Sequence, residues 1–190
     1  MALNPEILLI NEQIIKKYTQ LNEAVDTNLI RPCIYLAQDK YLVNYLGTAL
    51  VNKLKSDVDT DSLSGVYDTL LNEYVMKSLL WWTMIELYPS LVYKHDNGSI
   101  VIRTSEDTSS ISEAELSKMM SAAMDNAKFY TQRMIDYVCA NSADFPEYTD
   151  NTWPDKNPYH QVYTQTGIAF SGGYKQNRIR WSINDVLPIK

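Results

Sequence analysis

Residues 74–88 read Tyr74-Val75-Met76-Lys77-Ser78-Leu79-Leu80-Trp81-Trp82-Thr83-Met84-Ile85-Glu86-Leu87-Tyr88, and only Lys77, Ser78, Thr83 and Glu86 are polar. An apolar run of this length, free of glycine and proline until Pro89, reads as a helix rather than a strand. It is apolar on every side, so the helix belongs at the centre of the molecule, touched by neighbours or by other subunits all round. The reading extends it back to about Val66, with Pro89 as its stop.

Outward from this helix, the rest of residues 1–141 reads as helices of more ordinary amphipathic kind. Asn4-Pro5 can open a short one, with proline at the first helical position. Asn11 can cap another running to about Gln20. Asp26, Thr27 or Asn28 starts a longer one, with Pro32 in or near its first turn, and Ile30, Cys33, Ile34, Ala37, Tyr41 and Tyr45 recur at roughly helical spacing. Gly47 ends it as a left-handed cap. Thr48–Ser56 makes a short helix with Val51 and Leu54 inward, and 57–65 is a polar loop. After the central helix, Asn97-Gly98 suits a type I′ turn, and the β-branched and aromatic flanks Leu91–His95 and Ile100–Thr104 predict a β-hairpin over 91–104. The last helix opens with a capping box, Ser112 and Glu115, with Ile111 able to staple onto Leu116. Along it Leu116, Met120, Ala123, Ala127, Tyr130, Met134 and Tyr137 alternate in steps of four and three, a seam for another helix inside the subunit or between subunits.

The chain changes character after Asn141. Residues 1–141 hold 12 basic and 18 acidic side chains, the whole net charge of −6, whereas residues 142–190 hold five of each. The second stretch has four of the seven prolines, three of the six glycines and a single leucine, Leu187, yet eight aromatic residues. That composition excludes a helical bundle and is too aromatic for a plain linker. The fold expected is mainly α: residues 1–141 form a helical bundle with a small β-hairpin, and residues 142–190 form an extended aromatic C-terminal arm.

At 190 residues the chain has room for one ordinary domain and an appendage. Its 45% apolar and 21% charged residues fit a protein with a real core and exclude wholesale disorder. No apolar run approaches the roughly 18 residues of a membrane span, and Asn11, Glu12 and Gln13 interrupt the only early apolar stretch, so neither a membrane segment nor a secretory signal is expected. The acidic balance disfavours tight sequence-independent binding of nucleic acid. Cys33 and Cys139 read as two reduced thiols in the core.

The motifs that would signal chemistry are incomplete. Asp57, Asp59 and Asp61 have the spacing that opens a calcium loop, but Ser62 and Asp68 stand where glycine and a bidentate glutamate are needed. Gly167 and Gly172 have phosphate-loop spacing, but Gly173 and Tyr174 follow in place of lysine and serine or threonine. His95 and His160 have no nucleophile elbow and no metal-ligand partner at three or four residues. Glu113 and Glu115 are explained by helix capping, and Glu86 by a packing or hydrogen-bond role in the central helix. Asn97-Gly98-Ser99 matches a glycosylation sequon, with no secretion signal to support its use. We therefore expect no catalytic residue, metal site or cofactor, and a structural or interaction protein.

The arm favours the same conclusion. Tyrosine and tryptophan are enriched where proteins meet, and widely spaced aromatics interrupted by prolines gain stability by lying along another surface, of their own subunit or a neighbour's. The candidate interface residues are Trp153, Tyr159, Tyr163, Phe170, Tyr174 and Trp181, with Arg178 and Arg180 able to pair with acidic groups on a partner.

The stretch Ala37-Gln38-Asp39 through Tyr45-Leu46-Gly47, followed by Leu50 and Leu54, resembles the helix–turn–helix opening of head–tail connector (adaptor) proteins of tailed bacteriophages. Ser78-Leu79-Leu80-Trp81-Trp82, Asn97-Gly98, Ala127-Lys128-Phe129-Tyr130-Thr131-Gln132-Arg133 and Phe145-Pro146-Glu147-Tyr148 extend the likeness over residues 5–150, in particular to connectors of phages infecting Bacteroidetes, including crAss-like phages. The resemblance implies a virion protein of the neck, present in the host cytoplasm during assembly. It implies a homo-oligomeric ring of about twelve subunits joined head to tail, set below the portal protein, touching further neck or tail proteins and prolonging the channel through which DNA passes. The alternative expectation is a small helical binding module, an assembly chaperone or host-directed regulator absent from the finished particle.

Overall fold

The computed structural model describes residues 7–95, 100–102, 111–150 and 155–163, and the chain is mainly helical. The centre is a helix of three joined pieces: α4 (Gly65–Thr69), a π-helical stretch over Leu70–Val75, and α5 (Met76–Val92). Ser78, Leu79, Leu80, Trp82, Thr83, Met84, Ile85 and Leu87 are all buried, so α5 is covered on every side, as a helix without a polar face must be. Pro89 does not stop it. The helix runs on to Val92, and the Tyr93 N–H closes the last turn on the Pro89 carbonyl. Pro89 lacks the N–H that would bond the Ile85 carbonyl, a local cost that the packing of Leu87 and Leu91 on the core outweighs. Leu91 and Val92 are consequently helical. Two three-residue strands follow, β1 (Tyr93–His95) and β2 (Ile100–Ile102), paired antiparallel with Tyr93 opposite Ile102 and His95 opposite Ile100. Asn97-Gly98 lies outside the described residues.

Against this centre packs α6 (Glu113–Ala140), opened by the expected capping box: the Ser112 hydroxyl accepts from the Glu115 N–H, and the Glu115 carboxylate accepts from the Ser112 N–H. Its buried face is Leu116, Ala123, Ala127, Thr131, Met134, Ile135 and Val138. After Ala127 the seam slips by one residue, burying Thr131 and Val138 where a strict heptad places Tyr130 and Tyr137. A straight helix has 3.6 residues per turn, so over 28 residues the contact line drifts off a 3.5-residue repeat. Tyr137 still contributes from the flank, stacking on Tyr74 with ring centroids 4.2 Å apart.

The N-terminal half wraps the other side. Asn11 caps α1 (Glu12–Tyr18) by accepting from the Ile14 N–H. Asp26 caps α2 (Thr27–Ala37). Pro32 lies inside α2 rather than in its first turn, and α2 packs on α5 through Ile30, Cys33, Ile34 and Ala37. A second π-helical stretch, Gln38–Leu42, leads into α3 (Val43–Asp59). Gln38 is fully buried and bonds twice to the N-terminal segment: its Nε2 donates to the Ile7 carbonyl, and its Oε1 accepts from the Leu9 N–H. Those two bonds satisfy both ends of a buried amide and hold Leu9 and Ile10 in the core.

Gly47 breaks α3 with φ 79° and ψ 158°, a positive-φ kink rather than the left-handed cap that would end a helix. Helix resumes at once, with Leu50, Val51 and Leu54 buried. It also runs three residues past the expected end, so Asp57 is helical and buried, paired with Lys53 at 2.8 Å.

The bundle is completed from beyond residue 141. Phe145, entering the short helix α7 (Pro146–Thr149), is fully buried, edge-on to Tyr67 and Tyr137, and Tyr148 is 4% exposed. A division at residue 141 therefore cuts through one packed unit. The composition changes there, but the two aromatic residues just after it are bundle core. Cys33 is buried as expected, whereas Cys139 is exposed, on the outer side of α6. The expected helix at Asn4-Pro5 lies outside the described residues.

Candidate interaction surface

Residues 155–163 form a strap across the bundle. It begins at α3, where the Thr48 hydroxyl donates to Asp155 Oδ2 at 2.9 Å, the Lys156 N–H donates to that hydroxyl, and the Thr48 N–H donates to the Lys156 carbonyl. The Tyr159 N–H donates to the Asn44 carbonyl at 2.8 Å. A Cβ built on Gly47 would stand 3.0 Å from Pro158 Cδ and 3.3 Å from the Lys156 carbonyl, so the glycine is the seat on which the strap rests. The Asn44 and Thr48 groups are the ones a kink frees. The strap then crosses to α7 and α6: His160 Nδ1 meets the Tyr148 hydroxyl at 3.0 Å, and the Val162 N–H donates to Gln132 Oε1. Burial pushes the Tyr148 phenol above its ordinary value, with the neighbouring Cys139 acting in the same direction. It therefore stays a neutral hydroxyl.

A shallow polar cleft of about 300 Å³ lies beside the strap, lined by Asp39, Asn44, Asn52, Lys55, Asp155 and Lys156 among others. A second polar group stands on α5. Glu86 Oε1 accepts from Lys40 at 2.7 Å and from the Tyr41 hydroxyl at 2.6 Å, and the Tyr41 ring stacks on Trp82 at 3.9 Å. The bond to Glu86 holds the Lys40 ammonium well above its usual value. These groups are mutually satisfied, and they fasten the π-helical stretch after α2 to α5. Among the described residues no three His, Cys, Asp or Glu side chains converge as a metal site would require, and no helix is long and apolar enough to cross a membrane.

Of the eight residues expected at an interface, the structure describes two. Tyr159 and Tyr163 both lie on the strap and each is 50% exposed. Tyr159 turns one edge to Tyr45 and is approached by the Lys156 ammonium, 4.7 Å from its ring. Trp153, Phe170, Tyr174, Arg178, Arg180 and Trp181 lie outside the described residues.

Sequence reasoning missed the outer face of α6. Met119, Ala122, Asp125, Phe129, Arg133 and Asp136 follow one another at three- and four-residue steps and are all exposed. Phe129 is 52% exposed, with the Arg133 guanidinium 5.9 Å from its ring centre. The signal was available: after the inward seam is removed from the α6 sequence, Met119, Ala122 and Phe129 remain as a second apolar line. The face adjoins the end of the strap, because Gln132, which accepts from Val162, also donates to Asp136 at 2.9 Å.

No curated protein and no solved structure matches this chain. Residues 42–158, which run from the end of the π-helical stretch Gln38–Leu42 into the strap, match a family of unknown function, DUF6712. That match covers more than half of the chain, and the protein belongs to the DUF6712 family.

Proposed function

We propose that the protein is a virion structural component, a ring-forming head–tail connector that joins the portal to the tail and prolongs the DNA channel. The observation that carries the reading is the place of the connector-like residues. Ala37, Gln38, Leu46, Gly47, Leu50 and Leu54 are all buried, and they form the helix–kink–helix on which the strap sits. The likeness therefore concerns residues that set the shape of the scaffold, as a shared architecture would require. Two features support it further. The net charge of −6 lets DNA pass without adhering when acidic groups face the channel. Surfaces at Tyr159, Tyr163 and the outer face of α6 are available to neighbouring subunits, portal and tail proteins. The small hairpin is the part we assign to contact between rings, and the aromatic C-terminal arm the part we assign to a neighbouring subunit.

Mass spectrometry of purified particles, with electron microscopy of the neck, tests the proposal. The expected result is this chain in stoichiometric amount at the neck, in a ring coaxial with the portal. Its absence from purified particles, with abundance only in infected cells, overturns the connector reading.

A further inference from the structure

Phe129 on the outer face of α6 stands between two acids, Asp125 one turn before it and Asp136 two turns after, with the Arg133 guanidinium beside its ring; all four are exposed. The chain beyond Tyr163 has the opposite character. Residues 164–190 hold four basic side chains and one acidic, a net of +3, while residues 1–163 hold 13 basic and 22 acidic, a net of −9. The basic groups sit among aromatics, Tyr174-Lys175 and Arg178-Ile179-Arg180-Trp181. Two copies of the acidic body repel each other on balance, and this segment is the part of the chain that carries net positive charge to a joint between them. Its departure point is fixed by the Val162–Gln132 bond, on α6 itself. Its 27 residues reach about 90 Å when extended, at ~3.3 Å per residue, against about 42 Å for the length of α6.

We propose that the α6 face centred on Phe129 is the docking site for residues 164–190 of a second copy of this chain, with Trp181 and its flanking arginines meeting Phe129 and its flanking aspartates. Association is then heterologous: each copy gives an arm and receives one, the pattern that closes into rings. The inference rests on the connector reading for its biological setting, as the lateral contact of the ring, but its test uses the purified chain alone, so either can fail without the other.

The experiment is sedimentation velocity on three full-length proteins. The unaltered chain is expected to associate with rising concentration. An acceptor-defective variant, Phe129→Ser, and a donor-defective variant, Arg178→Glu with Arg180→Glu and Trp181→Ser, are each expected to associate at least about tenfold more weakly. Phe129 is exposed, so its replacement leaves the core intact; circular dichroism of each variant checks this. Mixing the two variants is expected to restore one-to-one pairs, because each supplies the half the other lacks. An unaltered chain that stays monomeric, variants that associate as well as it does, or a mixture that forms no pairs overturns the proposal. The first result is what an arm docked on its own chain gives.

Discussion

Thr131 shows how much of this core depends on one oxygen. Its hydroxyl donates to the Ala127 carbonyl at 2.7 Å, so it can only accept from the Ser78 hydroxyl at 2.6 Å and the Trp82 indole N–H at 2.9 Å. All three residues are buried. Thr131→Val keeps the shape and removes the acceptor, leaving a buried indole N–H without a partner. We expect a loss of about 2 kcal/mol in urea unfolding, with the helical spectrum unchanged. Gly47→Ala acts on the backbone: it forces a β-carbon into a positive-φ position and against Pro158. The expected cost is about 2–3 kcal/mol, and Pro158→Gly in the same chain should recover only the steric part, which a double-mutant cycle measures. The tyrosines set the alkaline limit. Burial, the largest cause in each case, raises the phenols of Tyr41, Tyr45, Tyr67, Tyr88, Tyr137 and Tyr148 above the ordinary 10.0. A folded value above the unfolded one gives stability that is complete below 10.0 and lost as pH rises through the folded values. Urea midpoints should therefore hold between about pH 7 and 9 and fall above pH 10, with tyrosinate absorbance appearing together with unfolding.

At the scale of elements, boundaries that depend on local chemistry were legible and those that depend on packing were not. Asn11, Asp26 and Ser112 each cap the helix that their sequence announces, because a cap is decided within four residues. Ser112→Ala should cost about 1 kcal/mol and speed hydrogen exchange in the first turn of α6, leaving the Tyr74–Tyr137 end protected. Pro89 misled because the loss of one N–H is local, whereas the packing of Leu87 and Leu91 on the core that carries the helix past it is set by distant elements. The two π-helical stretches gave no sequence signal: each adds a residue to a turn so that side chains such as Gln38 and Leu70 can face a core set by distant elements. The candidate site was half legible for the same reason. Exposed aromatics on the strap could be read from composition, whereas the α6 face emerges only once the inward seam is known.

For the whole molecule, the strap decides what counts as the folding unit. A chain stopped at Asp150 keeps Phe145 and Tyr148 but loses the bonds to Asn44, Thr48 and Gln132 and the His160–Tyr148 contact. Its unfolding free energy should fall by about 2–4 kcal/mol, at roughly 1 kcal/mol per net hydrogen bond, relative to a chain stopped at Tyr163, which keeps those bonds. Equal midpoints for the two truncations would mean that the strap adds nothing to the body. Phe145 has a further consequence in the cell. A nascent polypeptide emerges N-terminus first, at about 5–20 residues per second, and this core cannot close until Phe145 and then the strap have left the ribosome. Until then the aromatic wall of Tyr67 and Tyr137 stays open to water, and the seat on Gly47 stays vacant. Closure of the core is thereby tied to the emergence of residues 145–163.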